Sequence, residues 1–288
     1  MSKPSERRQP NGRVVELVDS LDSGSSVHCG RAGSSPASPT RRKQPKGCFF
    51  HVLKSRTAFR RRDTSERQYY DAYDDRYRQV HEQNLSWFGN EQSEIVEKII
   101  HDYSLTKEHR MLEIGCGEGR DAFPLLEKGY RLLATDVSSE AIAYCQRRMP
   151  GAAEHFRVLD CITGRLNLDF DFIYAVAVVH MLVLDEDRDA FYGFIREHLN
   201  YTGIALICSM GDGSVERQSD THTAFDLQDR VHERTGKVLR IARTSCRMVN
   251  FRNFHAELER NGLIVIKQGL TSIEPDFTKM MYAVVRKR

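Results

Sequence analysis

Residues 111–123 read MLEIGCGEGRDAF and carry the strongest local pattern of the chain. An apolar run typical of a strand ends at Ile114, three glycines follow at alternate positions, and a helix is predicted from residue 120. Glycine lets the backbone turn sharply and lets a ligand approach without a clash against Cβ. The spacing is not that of the dinucleotide fingerprint G-x-G-x-x-G, which needs glycine where Arg120 stands, and the G-K-[ST] of a Walker-type phosphate loop is absent. The stretch therefore predicts a strand, a ligand-binding glycine loop and a helix.

Strand-like and helix-like segments alternate outward from this stretch. We predict strands at residues 110–114, 131–136, 155–159, 171–178, 203–209, 263–270 and 278–286, and helices at 120–128, 138–149, 185–199 and 253–261. Such alternation implies βαβ crossovers and a mainly parallel sheet with helices on both faces. The short link TSIEPDF before the last strand predicts an antiparallel pair at one edge. The expected fold is α/β, with a seven-stranded, mostly parallel sheet.

Two further segments are expected to cover the carboxyl ends of the strands. Residues 64–105 have helical spacing and predict an N-terminal helical cap. Residues 210–252 form a connection that is too long for a simple loop, and we interpret the charges of residues 210–240 as a solvated helix face. Open α/β sheets bind ligands at the carboxyl ends of their strands, so both segments are candidates for closing a site.

The overall composition is that of a soluble globular protein. Of the 288 residues, 40% are hydrophobic and 29% are charged, and the mean hydropathy is −0.53. No apolar run approaches the roughly 20 residues of a membrane-spanning helix, which excludes a membrane protein of that type. The seven cysteines contain no C-x-x-C pair, so neither a disulfide framework nor a metal site is predicted, and a reducing cytoplasm is expected.

The positive charge is concentrated in the first residues of the chain. Residues 1–62 hold 14 of the 43 Lys and Arg residues but only 4 of the 40 Asp and Glu residues, which leaves 29 basic and 36 acidic residues in 63–288. The acidic remainder lacks the electrostatic footprint of a nucleic-acid-binding protein. We therefore predict a disordered basic arm at 1–62 and one domain at 63–288.

Part of this arm has a second interpretation. Residues 12–40 resemble the conceptual translation of a transfer-RNA gene, and the AGSSPASPT end is similar to a T-loop read as codons. On that hypothesis the assigned start lies too far upstream and the arm has no selected function. The alternative is a genuine basic arm that contacts nucleic acid or an anionic membrane.

The pattern E-x-G-x-G-x-G resembles the first motif of class I S-adenosylmethionine-dependent methyltransferases. Three further features agree with that family: Asp136 ends the second strand LLATD, Asp160 and Cys161 follow the third strand, and the last two strands are antiparallel. The resemblance implies a Rossmann-like fold and S-adenosylmethionine as the cofactor. It extends over residues 65–288 for the fold and over about 110–210 for the motifs.

The resemblance also implies roles for individual residues. The implied cofactor-binding residues are Glu113, Gly115, Cys116, Gly117, Gly119, Asp136, Val137, Asp160, Cys161 and Val176. The loop backbone and the start of the following helix would receive the methionine portion. Asp136 would accept both ribose hydroxyls, Val137 would pack on the adenine, and Asp160 would accept from its exocyclic amine. A structural helix cap at Asp160 and a small turn-filling residue at Cys116 are the plainer alternatives.

Methyl transfer requires few catalytic groups from the protein, because the sulfonium already activates the methyl group. A general base is needed only when the acceptor has a high pKa, and His180, just past the fourth strand, is the candidate. The alternative is that His180 ends the strand and bonds a carbonyl. Four aromatic residues are candidates for a lid over the pocket or, alternatively, for the core of the helical cap: Tyr69, Tyr70, Trp87 and Phe88.

The sequence is compatible with two functions from different classes. The first is a methyltransferase acting on a small molecule, and residues 115–142 are similar to tellurite-resistance and thiopurine-type methyltransferases. The second is a cofactor-binding sensor or partner subunit of the same fold that transfers no methyl group. A nicotinamide-dependent oxidoreductase is disfavoured by Arg120. The acceptor and the oligomeric state are not indicated by the sequence.

Overall fold

A seven-stranded sheet organises the chain in the computed structural model, which describes residues 67–87, 89, 91–232, 234–273 and 277–288. The basic arm predicted at residues 1–62 lies outside the described residues. The strands are β1 (Arg110–Ile114), β2 (Arg131–Asp136), β3 (Phe156–Val158), β4 (Phe170–Val176), β5 (Leu199–Met210), β6 (Arg217–Gln218), β7 (Leu227–Val231), β8 (Val238–Ala242), β9 (Arg247–Met248), β10 (Leu263–Ile273) and β11 (Phe277–Lys287). The helices are α1 (Ala72–His81), α2 (Glu94–Asp102), α3 (Ala122–Glu127), α4 (Ser139–Arg148), α5 (Asp185–His198) and α6 (Phe251–Arg260).

The strand order of the large sheet is β10-β11-β5-β4-β1-β2-β3. Strands β1 to β5 are parallel, and β11 is antiparallel to both β5 and β10. The Rossmann-like sheet and the antiparallel pair at its edge are therefore confirmed. The parallel arrangement brings the carboxyl ends of β1, β2, β3 and β4 to one edge of the sheet, where the glycine loop also lies.

The hydrophobic core lies on both faces of the sheet. In β1 and β4, Leu112 and Ile173 belong to one core cluster, whereas Met111, Phe172 and Tyr174 belong to the other. This assignment follows from the two-residue period of a strand, which sends successive side chains to opposite faces. Because both faces are covered, these central strands are almost continuously apolar.

The long connection between β5 and α6 contains strands, so the helix face predicted for residues 210–240 is wrong. β7 pairs with β8 as an antiparallel hairpin. In β8, Leu239 and Ile241 are buried while Val238 and Arg240 are exposed. The prediction counted charges and overlooked this two-residue alternation, which is the signature of a strand with one solvated face.

The helix α1 is bonded directly to this hairpin. The buried Arg76 donates from Nε and Nη2 to the carbonyl oxygen of Ala242, at 3.0 and 2.8 Å, and from Nη2 to that of Arg243 at 2.6 Å. A guanidinium supplies several donors in fixed geometry, so one side chain holds two carbonyl groups.

Among the described residues, no helix combines the length and apolarity that crossing a membrane requires.

Candidate active site

A cleft opens at the carboxyl ends of β1, β2 and β4, with about 900 Å³ of space between its walls when its open, solvent-filled mouth is included. Its lining residues are Tyr70, Tyr73, Tyr77, Glu113, Ile114, Gly115, Cys116, Gly117, Glu118, Arg120, Asp121, Asp136, Val137, Leu159, Asp160, Cys161, Ile162, Val176, Ala177, Val178, Met181, Leu182 and Phe277. This set brings together every implied cofactor residue except Gly119. A Cβ atom at Gly119 would instead meet the ring of Phe123 at 2.7 Å.

The glycine loop is fixed by the neighbouring strand and leaves no room for side chains at its glycine positions. The N–H groups of Gly115 and Cys116 donate to the carbonyl of Thr135 at 2.7 and 2.9 Å. Gly115 has a φ of +72°, a conformation that favours glycine. A Cβ atom there would lie 2.4 Å from Cγ2 of Val178, and one at Gly117 would lie 2.7 Å from Oη of Tyr77. At Gly115 and Gly117 the loop therefore presents bare backbone.

The Asp136 carboxylate is oriented by backbone N–H groups. Gly117 donates to Oδ2 and Ser138 donates to Oδ1, each at 2.8 Å. The side chain is buried, and burial raises its pKa to about 6 although the two backbone donors act in the opposite direction. Each oxygen accepts one of these bonds and has lone-pair capacity for another donor. The carboxylate can therefore hold two ligand hydroxyls while it also orders the loop.

Glu113 lies at the end of β1, buried below the glycine loop. Its Oε2 accepts a hydrogen bond from the hydroxyl of Tyr174 at 3.0 Å. Burial raises the pKa of Glu113 well above its ordinary value, and the nearby charge of Asp121 adds to that effect. The side chain is suited to supporting the loop from beneath.

The turn after β3 gives Asp160 a structural role. Asp160 Oδ1 accepts from the backbone N–H of Ile162 at 3.1 Å, and Oδ2 accepts from the hydroxyl of Thr163 at 2.6 Å. Asp160 thus caps a turn, whereas the plainer alternative expected it to cap a helix. Burial raises the pKa of the adjacent Cys161, so its thiol remains protonated.

The structure disfavours His180 as a general base. Its side chain is only 3% exposed, and His180 is absent from the lining residues of the cleft. Burial, reinforced by the charge of Arg188, lowers its pKa to about 3, which makes the imidazole a very weak base. The alternative of a bond to a carbonyl also fails for Nδ1, which has no hydrogen-bond partner among the described residues.

The segment after β4 is held from behind by a buried ion pair. Arg188 on α5 donates from Nη1 to the carbonyl oxygens of Val179 and Leu182, at 2.7 and 3.2 Å. Its Nε and Nη2 bond both carboxylate oxygens of Glu257, at 3.0 and 2.5 Å. Sequence reasoning missed this pair, although a lone arginine on the buried face of DRDAFYGFI was a signal for a buried partner.

The predicted aromatic lid is only partly found. Tyr70 lines the cleft, whereas the hydroxyl of Tyr69 donates to Asp187 at 2.7 Å and anchors the chain to α5. Trp87 lies in a small cluster against the β7–β8 hairpin, and Phe88 lies outside the described residues. The core interpretation therefore holds for Tyr69.

Two tyrosines of α1 complete this wall of the cleft and were missed. Tyr73 and Tyr77 follow Tyr70 at positions i+3 and i+7 and line the cleft beside it. This spacing places side chains on one face of a helix, which was the available signal. The hydroxyl of Tyr73 donates to the carbonyl of Ser245 at 2.8 Å, so the insertion supports this wall.

The helix α1 is also bonded to the glycine loop. His81 Nε2 lies 2.8 Å from Oε1 of Glu118, and its Nδ1 lies 3.3 Å from Oε1 of Glu140. Burial lowers the pKa of His81, but its hydrogen bonds to the two carboxylates outweigh that effect and raise it above the ordinary value. Asp74 accepts from the hydroxyl of Ser138 at 2.7 Å, so the same helix reaches the start of α4.

Comparison with known proteins agrees with this geometry. Residues 112–205 match the model of a methyltransferase domain, a stretch that runs from β1 into β5. A methyltransferase from Streptomyces caelestis, CcbJ, is similar in structure, with 14% identity, a TM-score of 0.55 and coverage of 75% of this chain and 98% of that one. An S-adenosylmethionine-dependent methyltransferase from Clostridium acetobutylicum shows 13% identity, a TM-score of 0.52 and coverage of 76% and 98%. The glycopeptide N-methyltransferase MtfA, in complex with S-adenosylmethionine, shows 20% identity, a TM-score of 0.51 and coverage of 71% and 91%.

The domain match and the fold give the same result. The matched residues contain the glycine loop, Asp136, Asp160 and Val176, and the similar structures extend over about three quarters of this chain. The prediction of a methyltransferase domain is confirmed for residues 112–205, and the Rossmann-like fold is confirmed by the sheet.

Proposed function

We propose that this protein is an enzyme that transfers the methyl group of S-adenosylmethionine to a small-molecule acceptor. One observation carries the cofactor assignment: the buried Asp136 carboxylate, with both oxygens oriented by backbone N–H groups, stands beside a loop in which Gly115 and Gly117 have no room for a Cβ atom. The residues present therefore fit a nucleoside with two adjacent hydroxyls and a bulky group lying against bare backbone.

The sequence suggested the helix after the loop as the partner of the methionine carboxylate, but α3 has only six residues. Arg120 is the better candidate. Its guanidinium lines the cleft beside the loop and lies 3.5 Å from Oδ2 of Asp121. A guanidinium matches a carboxylate in charge and in geometry.

The remaining task of the protein is positioning. The cofactor, when bound, supplies a methyl group already activated by its sulfonium. Val176, Ala177 and Val178 line the cleft at the end of β4. Ala177 has a φ of +61°, a strained conformation for alanine that is typical of functional turns. We assign to this strained turn and to the segment behind it the exclusion of water and the alignment of the acceptor.

Binding experiments test the cofactor assignment first. We expect S-adenosylhomocysteine to bind in isothermal titration and NADH not to bind. Binding of the dinucleotide alone would overturn the proposal. The purified protein is then incubated with methyl-labelled cofactor and a cell extract, and the label is expected in the small molecules that pass an ultrafilter. Label retained with protein or RNA would contradict a small acceptor, and cofactor binding without any labelled product would favour the sensor function.

A matched ligand pair tests Arg120. Replacing it in Arg120→Met is expected to weaken S-adenosylhomocysteine about tenfold, or about 1.4 kcal/mol. The affinity for 5′-methylthioadenosine, which lacks the amino-acid portion, is expected to remain unchanged. Equal losses for both ligands would show that the substitution disturbs the loop and that Arg120 does not bind the carboxylate.

A further inference from the structure

One end of the cleft is built from rings and aliphatic chains. We call this end the acceptor chamber and define it by five lining residues: Tyr70, Tyr73, Met181, Leu182 and Phe277. They come from the N-terminal cap, from the segment after β4 and from the start of β11. Three of the five side chains are aromatic.

Hydrogen bonds show that parts of the chamber are tied to one another. The hydroxyl of Tyr73 donates to the carbonyl of Ser245, and the hydroxyl of Ser245 donates to the carbonyl of Met181, both at 2.8 Å. The hydroxyl of Tyr69, whose ring lies against Tyr70, accepts from the N–H of Val183 at 2.9 Å. These contacts link Tyr73 to Met181 and place Tyr70 beside the segment that follows β4.

The chamber lies on the side of the cleft where a transferred methyl group must leave. Asp136 ends β2 and Asp160 follows β3, so these ribose and adenine candidates lie towards the β3 edge of the sheet. Met181 and Leu182 follow β4, and Phe277 begins β11 on the other side of β1. A cofactor held by Asp136 and Asp160 would have its methionine portion towards β4, on the chamber side.

None of the five chamber side chains is charged, and the guanidinium of Arg76, 5.6 Å from the centre of the Tyr73 ring, is bonded to the carbonyls of Ala242 and Arg243. The charged residues that line the cleft are Glu113, Glu118, Arg120, Asp121, Asp136 and Asp160. Each of the five carboxylates already accepts a hydrogen bond from the protein. An acceptor with a formal charge would lose its hydration in the chamber without an ionic partner among the described chamber residues, and such burial is costly.

The described chamber residues also supply no good base. Tyr73 donates its hydroxyl proton to a carbonyl, and burial raises its pKa to about 12. His180 is buried and does not line the cleft. The acceptor must therefore present a free lone pair at neutral pH.

The geometry points to a neutral aromatic nitrogen heterocycle as the acceptor, methylated on its ring nitrogen; this inference rests on the proposed methyl transfer. The nitrogen lone pair forms the new N–CH3 bond while the C–S bond of the sulfonium breaks and its electron pair goes to sulfur. The positive charge passes from sulfur to the heterocycle, and no proton is released. Aromatic rings attract the cation that forms.

A pair of pyridines of equal size tests the charge requirement. Isonicotinamide is neutral and isonicotinate is an anion at neutral pH. We expect the N-methylpyridinium product, measured by mass spectrometry, to form at least about tenfold faster from isonicotinamide, because the anion has no partner in the chamber. A faster reaction with isonicotinate or with benzenethiol than with isonicotinamide would overturn the inference. Failure of both pyridines to give an N-methylpyridinium product would also overturn it. The titration with S-adenosylhomocysteine separates that result from failure of the proposed function, since cofactor binding would persist.

Substitutions of Tyr73 test the role of the rings. Tyr73→Leu is expected to raise the KM for isonicotinamide about tenfold and to leave S-adenosylhomocysteine affinity unchanged, whereas Tyr73→Phe keeps the ring and should change KM less than about twofold. Tyr201→Leu, at a tyrosine that is 82% exposed, is the control for loss of an aromatic residue. Equal effects of Tyr73→Leu and Tyr73→Phe would assign the role to the hydroxyl and contradict the inference.

A third test introduces a positive charge that should allow the anionic pyridine to react. Partial unfolding of the variant could not produce such a gain in activity. Met181→Arg places a cation at the chamber while the backbone bonds of residue 181 remain available. The preference for isonicotinamide over isonicotinate is expected to fall at least about tenfold. An unchanged preference would show that Met181 does not face the acceptor.

Discussion

The two halves of the cleft are built in different ways. The half that we assign to the cofactor consists of the glycine loop and the Asp136 carboxylate, which come from the contiguous residues 111–138 and are joined by backbone N–H groups. The half that we assign to the acceptor consists of side chains as distant in sequence as Tyr70 and Phe277. A site made by neighbouring backbone groups leaves a readable spacing in the sequence, whereas a site assembled by the tertiary fold does not. Substitutions and pH changes can separate the two halves experimentally.

The largest effect is expected at Asp136. Asp136→Ala removes the ribose acceptor and the bonds to Gly117 and Ser138, so we expect S-adenosylhomocysteine affinity to fall more than about 100-fold, or about 2.7 kcal/mol. Calorimetric titration measures it, and circular dichroism checks that the sheet stays folded. Asp212→Ala is the matched control, because that exposed carboxylate also accepts two backbone N–H bonds but lies outside the cleft. Affinity retained within a few-fold would remove the ribose role from Asp136.

A smaller loss is expected from Gly115→Ala. The new Cβ atom would lie 2.4 Å from Val178, and the φ of +72° strains any side chain. We expect S-adenosylhomocysteine to bind about 30-fold more weakly, about 2 kcal/mol, as measured by titration. Gly129→Ala has a similar φ of +83°, but the nearest atom to its Cβ is Lys107 Nζ at 3.7 Å. That control is expected to lower stability by about 1 kcal/mol and to leave binding intact.

The next effect in size is the dependence of S-adenosylhomocysteine affinity on pH, which follows from the raised pKa of Asp136. The ionised form accepts the ribose hydroxyls, and with a pKa of about 6 only roughly a tenth of the carboxyl is ionised at pH 5. S-adenosylhomocysteine affinity should therefore fall about tenfold between pH 7 and pH 5. Titration of Asp136→Asn over the same range is the control and should show no such dependence. A flat profile for the unsubstituted protein would contradict the assignment.

The smallest effect on transfer is expected at His180. Because the imidazole is buried and shielded from the cleft, His180→Leu should change the rate of methyl transfer to isonicotinamide less than about twofold at neutral pH. A large loss in kcat, together with loss of a pH break in the rate profile, would restore the general-base role.

The titration of His180 should instead be visible in stability. The unfolded chain binds a proton at this residue below a pKa of about 6.5, whereas the folded site excludes it down to a pKa of about 3. The unfolded state thus binds more protons, and stability falls as the pH drops from 6.5 towards 3. By pH 5 the unsubstituted protein should lose about 2 kcal/mol of unfolding free energy relative to His180→Leu, as measured by urea denaturation.

The fold was predictable from the sequence because its strands carry local signals. The predicted bounds of β1 and β2 agree with the structure, and the antiparallel pair was indicated by the short link before β11. The hairpin of residues 227–242 was missed because its alternation is short and is masked by charge. The number of charged residues in a segment does not distinguish a surface strand from a surface helix, since both expose one face to solvent.

Only the parts of the candidate site that come from residues close together in the sequence were predictable. Tyr73 has a spacing signal, but nothing in that spacing indicates Met181 as a neighbour, and the Arg188–Glu257 pair depends on the packing of α5 against α6. His180 was selected for its place after β4 and its pKa near neutrality, whereas burial in the folded chain moves that pKa out of range. Roles that depend on solvation cannot be taken from sequence position.

The contacts of α1 have a consequence for how substrate choice can change. One face of this helix carries Tyr73 to the cleft, while Arg76 donates hydrogen bonds to the carbonyls of Ala242 and Arg243 at the end of the β7–β8 hairpin. We expect mutations in that hairpin to shift the helix and so to change the space in the cleft without altering any residue that lines it. Remodelling at the periphery therefore offers both evolution and protein engineering a route to new substrates that spares the nucleoside-binding machinery.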